Sequence, residues 1–299
     1  MWTRSALAAL LGAVVLAVSA CGGTTSSSDE TPAKSDLFRQ DLHDRLPPSV
    51  KDSGELVFAG DPHPPYRVVA QGGKVTGFDP DLQQALGDVL GVKTRIEVIA
   101  GLPAALTGMK AKRFDAFNGP VKDTAEREAD FDAVVYMTSR TAYLFPAEKG
   151  LAKAADLCGK TVSYVAGSIV EGQLKALSTW CSEQGAPAVE AQPLADTNAT
   201  ILAVRSGRAD ALGATQSGVV DIVNKAPKGT YKYVLQEDAQ GAGVDNLALL
   251  APKASKLGPV ILEAFKVLFA KGAYQTLMKK YGLTDVAVDA PAINLAEKA

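Results

Sequence analysis

The chain has 299 residues, 31 basic and 33 acidic, a formal net charge of −2 and 47% hydrophobic content. This near-neutral balance lacks the basic face that a general nucleic-acid binder needs. The apolar content is enough for a real core, and the length suits one large domain or two smaller ones.

Met1 to Ala20 reads as a targeting segment. Arg4 supplies a short positive start, and Ala6 to Ala17 is apolar apart from Gly12. The apolar run is shorter than the roughly 20 residues a membrane-spanning helix needs. Val18, Ser19 and Ala20 before Cys21 resemble a bacterial lipobox, which predicts cleavage and lipidation at Cys21. Residues 21–53 then read as a flexible Gly/Ser/Thr-rich tether and a transition segment. No later stretch is long and apolar enough to cross a membrane.

With Cys21 lipidated, Cys158 and Cys181 remain, and an exported chain predicts a disulfide between them. The chain has two histidines, His43 and His63, and no Cys-x-x-Cys pair, so no metal or cofactor is expected.

Beyond the tether, strands and helices alternate. Leu56–Gly60 reads as a buried strand, Asp81–Leu90 as a helix ended by Gly91, Lys93–Ile99 as a strand and Pro103–Met109 as a short helix. Strands follow from Ala116 and at Ala142–Phe145. After Gly150 the pattern restarts, with strands at Thr161–Val165, Val189–Gln192 and Ala209–Gly213 separated by helices at Ile169–Ser182 and Asn198–Ser206. Tyr231–Leu235 and Asn246–Leu250 read as strands. Leu257, Val260, Ile261, Ala264, Phe265 and Leu268 form a helical stripe, and Ala273–Tyr281 a closing helix. The alternation predicts an α/β fold with largely parallel pairing, and the restart predicts two lobes.

One stretch carries local chemistry. Gly119 and Pro120 stop a strand, Thr124 stands where a helix N-cap would, and Arg127 follows one turn later. Taken alone it reads first as an ordinary turn with a surface arginine. It also has the parts of an anion site: freed backbone N–H groups and a guanidinium fork suited to a carboxylate.

Seven segments together resemble the extracellular solute-binding proteins of ABC importers, in the branch that binds polar amino acids. They are Asp61–Tyr66 (Asp-Pro-His-Pro-Pro-Tyr), Gly77–Leu82 (Gly-Phe-Asp-Pro-Asp-Leu), Lys112–Asp115, Thr124–Arg127 with Asp130 and Phe131, Asp156–Val162, Ser206–Asp210 and Ala270–Leu283. The resemblance runs from about Gly54 to Leu283. It implies a type II periplasmic-binding-protein-like fold, with a ligand cleft between lobes joined by two crossing strands. Lobe one would be 54–146 plus 245–299, and lobe two 147–244.

The resemblance implies that Arg127 holds the ligand's carboxylate, helped by Gly119 and Thr124. Lys122 stands where a small hydroxyl residue is usual; it either adds a second positive charge or points to solvent. Tyr66 is either the aromatic floor of the site or a core residue. Asp79 is expected to cap the helix that follows it. Gly167 and Ser168 match a helix-start contact to the carboxylate. Thr215 stands where the family places an aspartate for the ligand's ammonium. Either Asp61 substitutes, or the ligand lacks a free α-ammonium.

The implied protein is a lipid-anchored monomer on the extracellular face of the membrane. It delivers an amino-acid-like or other small carboxylate to an ABC permease and ATPase, without enzymatic turnover. Two alternatives use the same fold: a dehydratase-like enzyme, with Glu126 and Glu171 the nearest general-base candidates, and a ligand sensor without transport.

Overall fold

The computed structural model describes residues 35–119 and 121–296. The targeting segment, Cys21 and Pro120 lie outside the described residues. The strands are β1 (Glu55–Gly60), β2 (Val68–Val69), β3 (Val75–Thr76), β4 (Lys93–Val98), β5 (Ala116–Phe117), β6 (Phe131–Ser139), β7 (Thr141–Pro146), β8 (Thr161–Val165), β9 (Glu190–Leu194), β10 (Ala211–Thr215), β11 (Tyr231–Leu235), β12 (Asp245–Pro252) and β13 (Ala287–Ile293). A six-stranded sheet has the order β13-β6-β12-β5-β1-β4, and a five-stranded sheet the order β11-β7-β10-β8-β9. Each sheet is the centre of one lobe.

The chain passes between the sheets at Arg140, between β6 and β7, and again between β11 and β12. The crossings are tied to each other: Gln236 N donates to Thr141 O at 3.0 Å, and Arg140 pairs with Asp238 at 2.7 Å. Pairing is mixed rather than largely parallel. β1 runs parallel to β4 and β5, and β8 to β9 and β10, but every pairing of β6, β7 and β12 is antiparallel. The reason is the crossing: a strand that leaves one sheet for the other returns in the opposite sense. It also places Thr141–Pro146, counted above with lobe one, in the second sheet.

Lobe one is built on two helices. Phe78–Leu90 buries Phe78, Leu82, Leu86, Val89 and Leu90, and ends at Gly91 with φ 68°, where a side chain would be strained. Leu257–Ala270 buries its striped face against β6 and β12. The transition segment is not all tether. It forms short helices at Gln40–His43 and Pro48–Ser53, and Leu42, Leu46 and Val50 join the lobe-one core. Among the described residues no helix is long and apolar enough to cross a membrane.

Lobe two packs Ile169–Glu183 on its sheet through Val170, Leu174, Leu177 and Cys181. Cys181 is bonded to Cys158 with Cα atoms 5.7 Å apart, tying the start of the lobe to this helix. The bridge closes a loop with a sequence separation of 23, worth roughly 3 kcal/mol in the chain-entropy model. Replacing both cysteines with serine should lower thermal stability by about that amount, and the native protein's intact mass should rise by two hydrogens on reduction. Unchanged melting of the double variant would remove the bridge from the stability of lobe two.

Candidate functional site

The cleft between the sheets is walled by loops that follow strands. On the lobe-one side, Thr124 caps the short helix Ala125–Glu128, its Oγ1 accepting from Arg127 N at 3.3 Å. This holds Arg127 half-buried on the cleft wall. Its guanidinium donates to Lys122 O at 2.6 Å and has no carboxylate partner among the described residues. Burial holds its pKa below the ordinary value, against the pull of Glu126 and Asp123. A half-buried cation with no carboxylate in direct contact can take an anion from outside.

Across the cleft, Gly167 and Ser168 start the helix Ile169–Glu183. Ser168 Oγ is buried without a hydrogen-bond partner among the described residues, and Glu171 accepts from Gly167 N at 3.2 Å. Lys122, Thr124, Arg127, Ser168, Glu171 and Gln173 line one chamber. Lys122 has a side chain 39% exposed but adds no free charge. Its Nζ pairs with Asp245 at 2.5 Å, and Gln173 Nε2 donates to the other oxygen of that carboxylate at 2.9 Å. Asp245 is on β12 of lobe one and Gln173 in lobe two, so this group bridges the lobes.

A second chamber, of about 570 Å³, opens beside the first and shares Ser168 with it. Its walls are mainly apolar: Ile99, Leu102, Pro103, Phe117, Val121 and Val165. Asp61, Gly167 and Asp196 supply polar edges. Asp61 reaches this chamber with one carboxylate oxygen already engaged. Its Oδ1 accepts from Arg67 at 2.7 Å, and its carbonyl accepts from Arg67 Nε at 2.6 Å.

Arg67 is the residue that the sequence reading missed. It is 1% exposed, stands over the Phe117 ring at 5.3 Å, and pairs with both Asp61 and Asp79. Asp79 therefore does not cap its helix; it is a buried counter-ion. Burial pushes its carboxyl up to about 6, against the pull of Arg67. Gly119 sits directly behind this cation. A Cβ there would lie 2.7 Å from the guanidinium, so a glycine at this position makes room for Arg67.

The last corner joins Tyr66 to Thr215. Tyr66 is fully buried in the lobe-one core, edge-on to Phe78. Its hydroxyl hydrogen-bonds Ser217 of lobe two, and burial raises its pKa strongly. Thr215 caps the helix Gln216–Lys225 by accepting from Gly218 N at 3.3 Å. His63 stands beside this corner, and burial pushes its pKa down to about 4, so it is neutral. Among the described residues no cluster of His, Cys, Asp and Glu is arranged to hold a metal ion.

This arrangement can hold a small anion at Arg127 and an apolar body beyond it. The model of the bacterial extracellular solute-binding proteins, family 3, matches residues 56–284. The chain belongs to this family. Among similar proteins, an arginine-binding protein of Corynebacterium glutamicum is 24% identical over 97% of this chain and 96% of its own length. An arginine-binding extracellular protein of Bacillus subtilis is 25% identical, over 90% of this chain and 93% of its own. An L-cystine-binding protein of Escherichia coli is 26% identical, over 59% and 64%. Solved structures share the fold. A histidine-bound ABC uptake transporter substrate-binding protein from Streptococcus pneumoniae has a TM-score of 0.69 at 20% identity, covering 80% of this chain and 97% of its own. The arginine-, lysine- and histidine-binding protein of Geobacillus stearothermophilus has a TM-score of 0.65 at 21% identity, covering 76% and 94%. As a family-3 solute-binding protein, this chain is a binding protein of the ABC-transporter class with a two-lobed, type II architecture.

Proposed function

We propose that the protein captures an amino-acid-like carboxylate outside the cell and hands it to an ABC permease and its ATPase, unaltered and as a monomer. The observation that carries this is Arg127, a half-buried cation on the cleft wall with no ion-pair contact among the described residues, opposite Ser168 Oγ, which has no hydrogen-bond partner among them either. Arginine- and cystine-binding relatives support the amino-acid-like class. Thr215 has no charge and is committed to its helix cap, and Asp61 shares Arg67 with Asp79 through its Oδ1. The favoured ligands are therefore carboxylates whose nitrogen is absent, alkylated, acylated or within a ring.

Calorimetry across the standard amino acids, cystine and a set of such modified carboxylates tests this. Tight binding is expected within the modified set, with the ligand recovered unchanged. Tight, selective binding of an unmodified α-amino acid would overturn the reading of Thr215, and a chemically altered ligand would favour an enzyme. The anchor is tested separately. Cys21→Ala should release the protein into the medium; a variant that stays with the membrane would remove the lipid from the proposal.

A further inference from the structure

The second chamber is built from loops at the carboxyl ends of parallel strands. In lobe one, Asp61 follows β1, Ile99 and Leu102 follow β4, and Phe117 ends β5. In lobe two, Val165 ends β8 and Asp196 follows β9. Such strand ends are where open α/β sheets place ligands. The chamber meets the one at Arg127 at Ser168. At about 570 Å³ it has room for a body that reaches well past the carbon next to a carboxylate held at Arg127.

The two chambers differ in charge. Arg127 lines the first and not the second, whereas Asp61 and Asp196 line the second and not the first. Asp61 has Oδ1 on Arg67, and its Oδ2 has no hydrogen-bond partner among the described residues. Asp196 is exposed and caps the helix Thr197–Arg205, its Oδ1 accepting from Ala199 N at 2.8 Å. The one positive side chain on the described walls is Arg67, which is buried and held between Asp61 and Asp79. The second chamber therefore presents negative charge from both lobes and no free positive charge. The first chamber's own carboxylates, Glu126 and Glu171, are exposed, so water screens them.

We infer that the ligand is a dipolar acid: a carboxylate at Arg127, an alkyl stem along the second chamber, and a cation at the far end of the stem facing Asp61 and Asp196. This rests on the reading of Arg127 as the carboxylate anchor. An α-ammonium, one carbon from the carboxylate, would stay in the first chamber; a cation at the end of a stem reaches the second. Ile99, Leu102, Phe117 and Val165 suit the stem, each buried methylene favouring binding by roughly fourfold. Closing the cleft over an uncharged end would strip water from Asp61, whose side chain is 24% exposed, and return no hydrogen bond to it. A second carboxylate in that place would be repelled. A cation between Asp61 and Asp196 would also join the lobes, since each lobe supplies one carboxylate.

The test is calorimetry of the full chain near neutral pH with four probes built on one stem. They are arginine without its α-amino group, the same acid with a branched alkyl end in place of the guanidinium, heptanedioic acid, and butylguanidine, which keeps the cation and lacks the carboxylate. The guanidino acid should bind about tenfold or more tighter than its alkyl counterpart, and heptanedioic acid should not bind measurably. The preference for the cation should shrink in Asp61→Asn and in Asp196→Asn, the second of which keeps a good helix cap. An alkyl acid that binds as tightly as the guanidino acid, or a preference that survives both substitutions, would overturn the inference and leave Arg127 as the anchor. If Asp61→Asn does not fold, the wild-type ranking and Asp196→Asn still decide. Butylguanidine separates the two readings. Binding as tight as that of the guanidino acid, and lost in Asp61→Asn, would remove the carboxylate from Arg127 and keep the cation at Asp61. Binding of none of the four would overturn both.

Discussion

Arg127→Ala is expected to weaken ligand binding by 100-fold or more while leaving the fold intact. The guanidinium is half-buried, its protein contact is the Lys122 carbonyl, and its capping turn is made by Thr124 through a backbone N–H that alanine keeps. Removing one partner of a buried charge pair typically costs about 3–5 kcal/mol, and each ~1.4 kcal/mol is tenfold in affinity. Arg127→Lys keeps the charge but loses the fork, so it should recover only part of the loss. The measurement is calorimetry with a ligand found by the screen above, beside melting curves. Near-normal affinity in Arg127→Ala would move the carboxylate elsewhere and remove the central element of the proposed site.

The second large effect is on stability. Arg67→Met should cost roughly 3–5 kcal/mol, because it leaves Asp79, which is fully buried, without its cation. At ~2–4 °C per kcal/mol for a domain of this size, melting should fall on the order of 10 °C. The loss should depend on pH, and the sign follows from Asp79. Its folded pKa, about 6, is above the ordinary 3.8, so its stabilising contribution is present at low pH and is lost as pH rises through about 6. Without Arg67 the carboxyl is pushed higher still. The variant should therefore suffer more at pH 8 than at pH 5, and adding Asp79→Asn should recover part of the loss at pH 8. Equal destabilisation at both pH values would show that lost packing, not an orphaned charge, is the cause.

Different parts of this chain were legible for different reasons. The helix Leu257–Ala270 could be read because its apolar stripe is local, and its observed burial follows that stripe. β6 could not. It is buried on both faces, so Phe131–Ser139 has no alternation, and its first residues pass for the end of a turn motif. The helix Gln216–Lys225 was hidden by its β-branched Val219, Val220, Ile222 and Val223. In the site, Arg127 was visible because Thr124 stands three residues before it as a cap. Arg67 was not: beside Val68 and Val69 it reads as a charged residue on an exposed strand, and its partners Asp79, Asn118 and Phe117 come from segments that only the fold brings together. The bridge from Lys122 through Asp245 to Gln173 is invisible for the same reason, since local pattern does not reach across such separations.

The order of strands in the two sheets also bears on biogenesis. Lobe two is one uninterrupted stretch from β7 to β11, so its sheet can be completed once Leu235 has been made. Lobe one cannot close then. Its β12 lies between β5 and β6 and arrives only with Asp245–Pro252, and β13 later still. Until then β5 and β6 are open edges with apolar residues, the condition that favours wrong pairing with another chain. The nascent protein therefore passes through a stage in which the later-made lobe is finished and the earlier-made one waits for its centre. Slow translation or a weak β12 would lengthen that stage, so substitutions in β12 should lower yield out of proportion to their effect on the finished protein.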